Sequence, residues 1–201
     1  MTLTDRFGRV HRDLRISLTD HCNLRCTYCM PPEGVPWLPR TTLLTPEELM
    51  RIVRIAVGEG IEEVRLTGGE PLLRPDCVDV VAAIASVEPR PEISITTNGI
   101  GLARLAEPLK RAGLARVNVS LDTLKPDRFH QLTRRNRLAD VLAGIAAADA
   151  AGLHPVKLNA LQLRGINDDE APDLLAFAMD HGYELRFIEQ MPLDAGHTWR
   201  R

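Results

Sequence analysis

Six short segments of this chain share one pattern, in which apolar and polar residues alternate and a helix-like stretch separates each segment from the next. They lie at 13–18, 62–67, 92–97, 116–121, 155–163 and 184–189. One parity is apolar: Leu14, Ile16, Leu18; Val64, Leu66; Ile93, Ile95; Val117, Val119, Leu121; Val156, Leu158; Leu185, Phe187. The other is polar: Arg15, Ser17; Arg65, Thr67; Ser94, Thr96, Asn98; Asn118, Ser120, Asp122; Lys157, Asn159; Arg186. A period of two marks strands, and strands alternating with helices give βαβ units and a parallel sheet. The helices carry their own signals. Thr45 caps the first, with Pro46 at its first position, Glu47 and Glu48 in its first turn, and Gly58 and Gly60 at its end. Others are expected at 76–87, 102–112, 138–151 and 169–181.

Parallel strands covered on both faces usually read as continuous apolar runs. The alternation here predicts one face packed on helices and one polar face in every strand. An antiparallel sheet with one solvated face would alternate too, but the helices between consecutive strands disfavour it. A closed eight-stranded barrel takes about 250 residues and packs its interior. Six strands in 201 residues predict an α/β fold, an open, partial (βα)6 TIM-like barrel around a polar lumen, as a single domain over 1–201.

Four cations share the polar parity: Arg15, Arg65, Lys157 and Arg186. Unpaired buried charge is costly, so the lumen requires either an anionic ligand or ion pairs, with Asp20, Asp122 and Glu189 as candidates. The chain as a whole is not basic, with 25 Lys and Arg against 27 Asp and Glu. That balance argues against a nucleic-acid or membrane-surface binder. An apolar share of 44% and a charged share of 26% are those of a folded chain that buries roughly 70% of its unfolded surface. No apolar run approaches a membrane span and no signal-peptide pattern opens the chain, so a cytoplasmic location is expected.

Three of the four cysteines, Cys22, Cys26 and Cys29, stand in one eight-residue loop after the first strand. In a cytosolic chain such a cluster reads as metal-binding or catalytic. Structural zinc takes four ligands, often as two Cys-x2-Cys pairs, and only one such pair is present. Three thiolates on a four-iron cluster would leave one iron open to a further ligand. Cys77 reads as a small buried residue. The six histidines show no metal-ligand spacing.

Cys22-Asn-Leu-Arg-Cys26-Thr-Tyr28-Cys29 resembles the Cys-x3-Cys-x-aromatic-Cys motif of the radical S-adenosylmethionine enzymes, whose fold is the partial (βα)6 barrel. Leu14-Arg-Ile-Ser-Leu-Thr-Asp20, Val64-Arg-Leu-Thr-Gly-Gly-Glu-Pro71, Thr96-Thr-Asn-Gly99, Asn118-Val-Ser-Leu-Asp122, Val156-Lys-Leu-Asn159 and Leu185-Arg-Phe-Ile-Glu189 are similar, in order, to the GTP 3′,8-cyclase family of molybdenum-cofactor biosynthesis. This resemblance implies a [4Fe-4S] cluster on Cys22, Cys26 and Cys29. It implies S-adenosyl-L-methionine held near Tyr28, Gly68, Gly69, Glu70, Ser120 and Met191, with Glu70 close to the methionyl ammonium. It implies GTP bound by Arg15, Arg65, Thr96 and Lys157. The chemistry it implies is hydrogen abstraction from the GTP ribose and ring closure onto guanine C8, fed by an external electron-donor protein. It leaves room for a homodimer and for hand-over of product to the cyclic pyranopterin monophosphate synthase.

The family carries a C-terminal region with three more cysteines for a second cluster and a Gly-Gly tail. This chain has no cysteine after Cys77 and ends at Arg201, so impaired cyclisation is expected of it. Two other readings stand beside the cyclase: a radical S-adenosylmethionine enzyme acting on a peptide or other small molecule, and a non-catalytic module that binds the cofactors without turnover.

Overall fold

A computed structural model describes residues 2–191 of the chain. Six strands form one sheet: β1 (Asp13–Ser17), β2 (Glu63–Thr67), β3 (Glu92–Thr97), β4 (Arg116–Ser120), β5 (Lys157–Gln162) and β6 (Glu184–Glu189). Every pairing is parallel, and the spatial order follows the chain order from β1 to β6. β1 and β6 do not pair, so the barrel is open between them. The helices are α1 (Pro46–Gly58), α2 (Cys77–Ala85), α3 (Leu102–Ala112), α4 (Pro126–Thr133), α5 (Leu138–Ala150) and α6 (Ala171–His181). No helix among the described residues is long and apolar enough to cross a membrane.

The register preserves the alternation from strand to strand. Leu14 pairs Val64, Val64 pairs Ile93, Ile95 pairs Val117 and Val119 pairs Leu158 on the helix-facing side. Those positions, except half-buried Leu14, are buried against α1, α2, α3 and α5, forming the core with Val53, Val81, Leu109 and Ile145. On the other side Arg15 pairs Arg65 and Arg65 pairs Ser94; one step along, Thr96 pairs Asn118; a further step along, Ser120 pairs Asn159 and Asn159 pairs Arg186. Thr45 caps α1 as expected, its hydroxyl accepting from the Glu48 amide while Glu48 accepts from the Thr45 amide.

Three expectations need correction. The crossover from β4 to β5 contains two helices, and α4 was missed in the sequence. Its eight residues carry little apolar pattern beyond Phe129 and Leu132, and its start rests on Pro126 alone, without a side-chain cap. The last helix begins at Ala171, after a turn of 3-10 helix at Asp168–Glu170. In β6 the apolar parity is not covered: Leu185 is half-buried and Phe187 is exposed, because β6 borders the opening of the barrel.

Candidate active site

The cysteine loop leaves the C-terminal end of β1 and is fastened to α4. The Arg25 amide donates to the Thr133 carbonyl (3.0 Å) and the Thr27 amide to the Leu132 carbonyl (2.9 Å). These are carbonyls of the last helical turn, which lack intrahelical donors. Arg134, left-handed at φ 56°, donates from Nη1 to the Arg25 carbonyl (2.6 Å). The helix missed in the sequence therefore carries the loop that the sequence made conspicuous. A second attachment comes from Tyr28, whose hydroxyl donates to Asp122 Oδ2 (2.6 Å), while Asp122 Oδ1 accepts from the Leu161 amide (2.9 Å). Burial pushes the Asp122 carboxyl and the Tyr28 phenol up from their ordinary pKa values.

All three loop thiols are unpaired by disulfides; Cys22 and Cys26 are half-buried and Cys29 is exposed. Burial raises each thiol pKa, Cys26 to about 12, and Cys26 also feels the charge of Cys22 and Cys29. Among the described residues no group of three or more His, Cys, Asp and Glu side chains is arranged around a single metal ion. Three thiolates spread over one loop suit three corners of an iron–sulfur cluster. The fourth cysteine, Cys77, is buried at the start of α2, as expected.

Gly68 and Gly69 follow β2 and run against the segment that leads into the cysteine loop. The Gly69 amide donates to the Thr19 carbonyl (2.7 Å) and the Glu70 amide to the His21 carbonyl (2.7 Å). A Cβ on Gly69 would sit inside contact distance of the Asp20 and His21 carbonyl oxygens, and one on Gly68 would meet the Thr19 carbonyl. The close approach that requires glycine here is that of the protein's own backbone.

Glu70, expected near S-adenosylmethionine, is engaged by the protein's own donors. It is fully buried, with Oε1 accepting from the Leu72 amide (3.0 Å) and Thr97 hydroxyl (2.7 Å), and Oε2 from the Asn98 amide (2.7 Å). Burial raises its pKa against the pull of those donors. The carboxyl ties the end of β2 to the end of β3 and does not line the cavity.

Inside the barrel lies a cavity of about 410 Å³, and it gathers most of the expected site: Arg15, Tyr28, Cys29, Arg65, Thr96, Ser120 and Met191. Asn118, Asp122, Asn159 and Arg186 also line it. A second cavity, of about 370 Å³, opens toward the N-terminal ends of the strands, and Arg15 and Arg65 line both. The lumen cations do find carboxylates, though not Asp20, Asp122 or Glu189. Arg65 pairs with Glu63 (3.2 Å), and Arg116, a cation of the lumen floor that alternation had not flagged, pairs with Glu63 and with Glu92 (2.7 Å). Lys157, expected among the GTP ligands, pairs with Glu184 (2.9 Å) and is not among the residues lining the main cavity. Arg15 has no ion-pair partner among the described residues, and the buried Nε of Arg65 has no hydrogen-bond acceptor. An unsatisfied buried guanidinium donor beside a second, unpaired guanidinium at the same cavity fits an anionic ligand.

An open parallel barrel with a three-thiol loop at its mouth and a cation-lined lumen defines the class of cluster-dependent barrel enzymes. A sequence profile of the Radical SAM superfamily matches residues 16–178, and the chain belongs to that superfamily, whose cofactors are a [4Fe-4S] cluster and S-adenosylmethionine. The chain is 66% identical over 99% of its length to a GTP 3′,8-cyclase of Streptomyces coelicolor and 60% identical to one of Paenarthrobacter nicotinovorans. It spans 59% and 56% of the length of those relatives. Among solved structures it superposes on Streptococcus suis SuiB with a TM-score of 0.74 at 21% identity, covering 94% of this chain and 42% of SuiB. Methylornithine synthase (PylB) gives a TM-score of 0.68 at 18% identity, over 94% of this chain and 56% of that one. Both carry the same fold.

Proposed function

We propose that this chain is the cluster-bearing portion of a GTP 3′,8-cyclase, a lyase that converts GTP to (8S)-3′,8-cyclo-7,8-dihydroguanosine 5′-triphosphate in the first step of molybdenum-cofactor biosynthesis. The observation that carries this reading is that Cys29 lines one cavity with two guanidiniums, Arg15, which has no ion-pair partner among the described residues, and Arg65, whose buried Nε has no acceptor, in a chain 66% identical to a cyclase of that name. Cys22, Cys26 and Cys29 would hold the cluster. The cluster and S-adenosylmethionine, when bound, supply one-electron chemistry that begins with hydrogen abstraction from the substrate ribose.

The chain's own residues position the reactants. Arg15 and Arg65 hold the triphosphate at the lumen's waist, where planar guanidiniums suit phosphate oxygens. Thr96 stands one row above them, toward the cluster loop. The Gly68–Gly69 backbone, Tyr28, Ser120 and Met191 border the place of S-adenosylmethionine. The hydrogen bond from Tyr28 to Asp122 holds the loop over the cavity. Lys157 would join the triphosphate only by releasing Glu184. We place the chain in the cytoplasm, where its thiols stay reduced, with an external electron-donor protein; a homodimer and product transfer to the cyclic pyranopterin monophosphate synthase belong to the same proposal.

The test separates binding from turnover. Calorimetry is expected to show GTP binding that Arg65→Glu weakens about 30-fold or more, since charge-assisted hydrogen bonds are each worth about 1.5–3 kcal/mol, with guanosine binding unchanged. Equal GTP affinity in both proteins would remove Arg65 from the site. Anaerobic reconstitution and reduction with S-adenosylmethionine is expected to release 5′-deoxyadenosine; failure of the three thiols to bind a cluster would overturn the assignment.

A further inference from the structure

Asn118 is 2% exposed, lines the main cavity, and has a carboxamide oxygen with no hydrogen-bond donor. Its Nδ2 reaches the Thr96 hydroxyl only at 3.5 Å. A buried acceptor left open is unfavourable, and the pattern of a site built for a ligand donor is that a buried polar atom faces the ligand space unpaired.

The row in which Asn118 stands indicates which donor. Arg65 pairs with Ser94 on β3, and Thr96, two residues further along that strand, pairs with Asn118. Two residues of strand advance about 6.6 Å. Asn118 therefore stands one step from the guanidiniums, on the side of the Tyr28 and Cys29 loop. In a nucleoside triphosphate whose phosphates meet Arg15 and Arg65, the group one such step away is the ribose. Resting on the nucleotide reading above, we propose that Asn118 is a specificity-determining residue whose Oδ1 accepts a hydrogen bond from a ribose hydroxyl.

The test is a binding cycle on the whole chain with GTP, 2′-deoxy-GTP, 3′-deoxy-GTP and inosine triphosphate, using Asn118→Leu and, beside it, the smaller Asn118→Ala. Without nucleotide, Asn118→Leu is expected to melt no lower than the wild type, because it removes an unsatisfied buried acceptor; a purely structural asparagine would lower the melting temperature. The variants are expected to bind GTP about tenfold more weakly, and to bind one of the two deoxynucleotides as well as the wild type does. If wild type and variants lose the same factor when either hydroxyl is removed, Asn118 reads no ribose hydroxyl. If the variants instead lose their discrimination between GTP and inosine triphosphate, the acceptor reads the base and the ribose assignment falls. Absence of GTP binding by the wild type overturns the nucleotide reading and this proposal together, whereas GTP binding that the variants leave intact overturns the Asn118 role alone.

Discussion

Cys26→Ala is expected to give a folded chain whose iron and sulfide content after anaerobic reconstitution falls to background. Two thiolates remain on the loop, too few to hold a four-iron cluster that already has one iron without a protein ligand. The loop itself should survive, because it is held by main-chain groups: the Arg25 and Thr27 amides on α4, and the Cys29 amide on the Cys26 carbonyl at 3.0 Å. The loss of a small half-buried side chain costs about 1 kcal/mol. Cys77→Ala is the matched control. Its thiol is buried in α2, and burial, followed by the charge of Glu70, pushes its pKa to about 12. Iron content in that variant should equal the wild type. A Cys26→Ala chain with wild-type iron content would exclude the loop as the cluster's seat.

The largest effect on stability is expected from the smallest side chain added. Gly69→Ala places a methyl group against the Asp20 and His21 carbonyl oxygens, and neither is a flexible tip that can swing aside. The ladder formed by the Gly69 and Glu70 amides must separate, and the buried Glu70 carboxyl is drawn with it. Overpacking of this kind costs about 3 kcal/mol, seen as a lower urea midpoint with a nearly unchanged slope. Gly58→Ala supplies the contrast. It ends α1 with nothing within 4 Å of the added Cβ, so helix propensity alone should make that variant as stable as the wild type or up to about 1 kcal/mol more stable. Equal losses at the two positions would rule out the clash as the cause.

Strand alternation was enough to place six parallel strands, their inward parity and a polar lumen, since register in a half-buried sheet is set by which face is apolar. The cysteine loop was equally plain, because ligand spacing within one loop is a local property. What stayed hidden was settled by contacts distant in sequence. Arg65 and Arg116 are 51 positions apart, yet Glu63 serves both. Lys157 has the right parity, but Glu184, its register partner on β6, draws it away from the cavity. Asp122 looked like a counter-ion for lumen cations and proved to hold Tyr28 and the start of the segment after Ser120 against β5. The tight backbone packing at Gly68 and Gly69 could not be anticipated either, because Thr19–His21 lies some 50 residues earlier. Asn167 is a buried staple that no local pattern announces, its Nδ2 donating to the carbonyls of Asp122 (2.8 Å) and Leu161 (2.7 Å).

The strand order has a consequence for how the chain comes into being on the ribosome. Each strand pairs with the one synthesised just before it, so the sheet can grow at a single edge in the order of translation, with every new helix covering the newest strand as it emerges. The apolar side is complete piece by piece, but the lumen is not. Arg15 comes from the first strand and Arg186 from the last, and only when both are in place does the cavity have its two flanks. The cavity proposed for the anion is thus completed only once β6 has joined the sheet, long after most of the core is already dry.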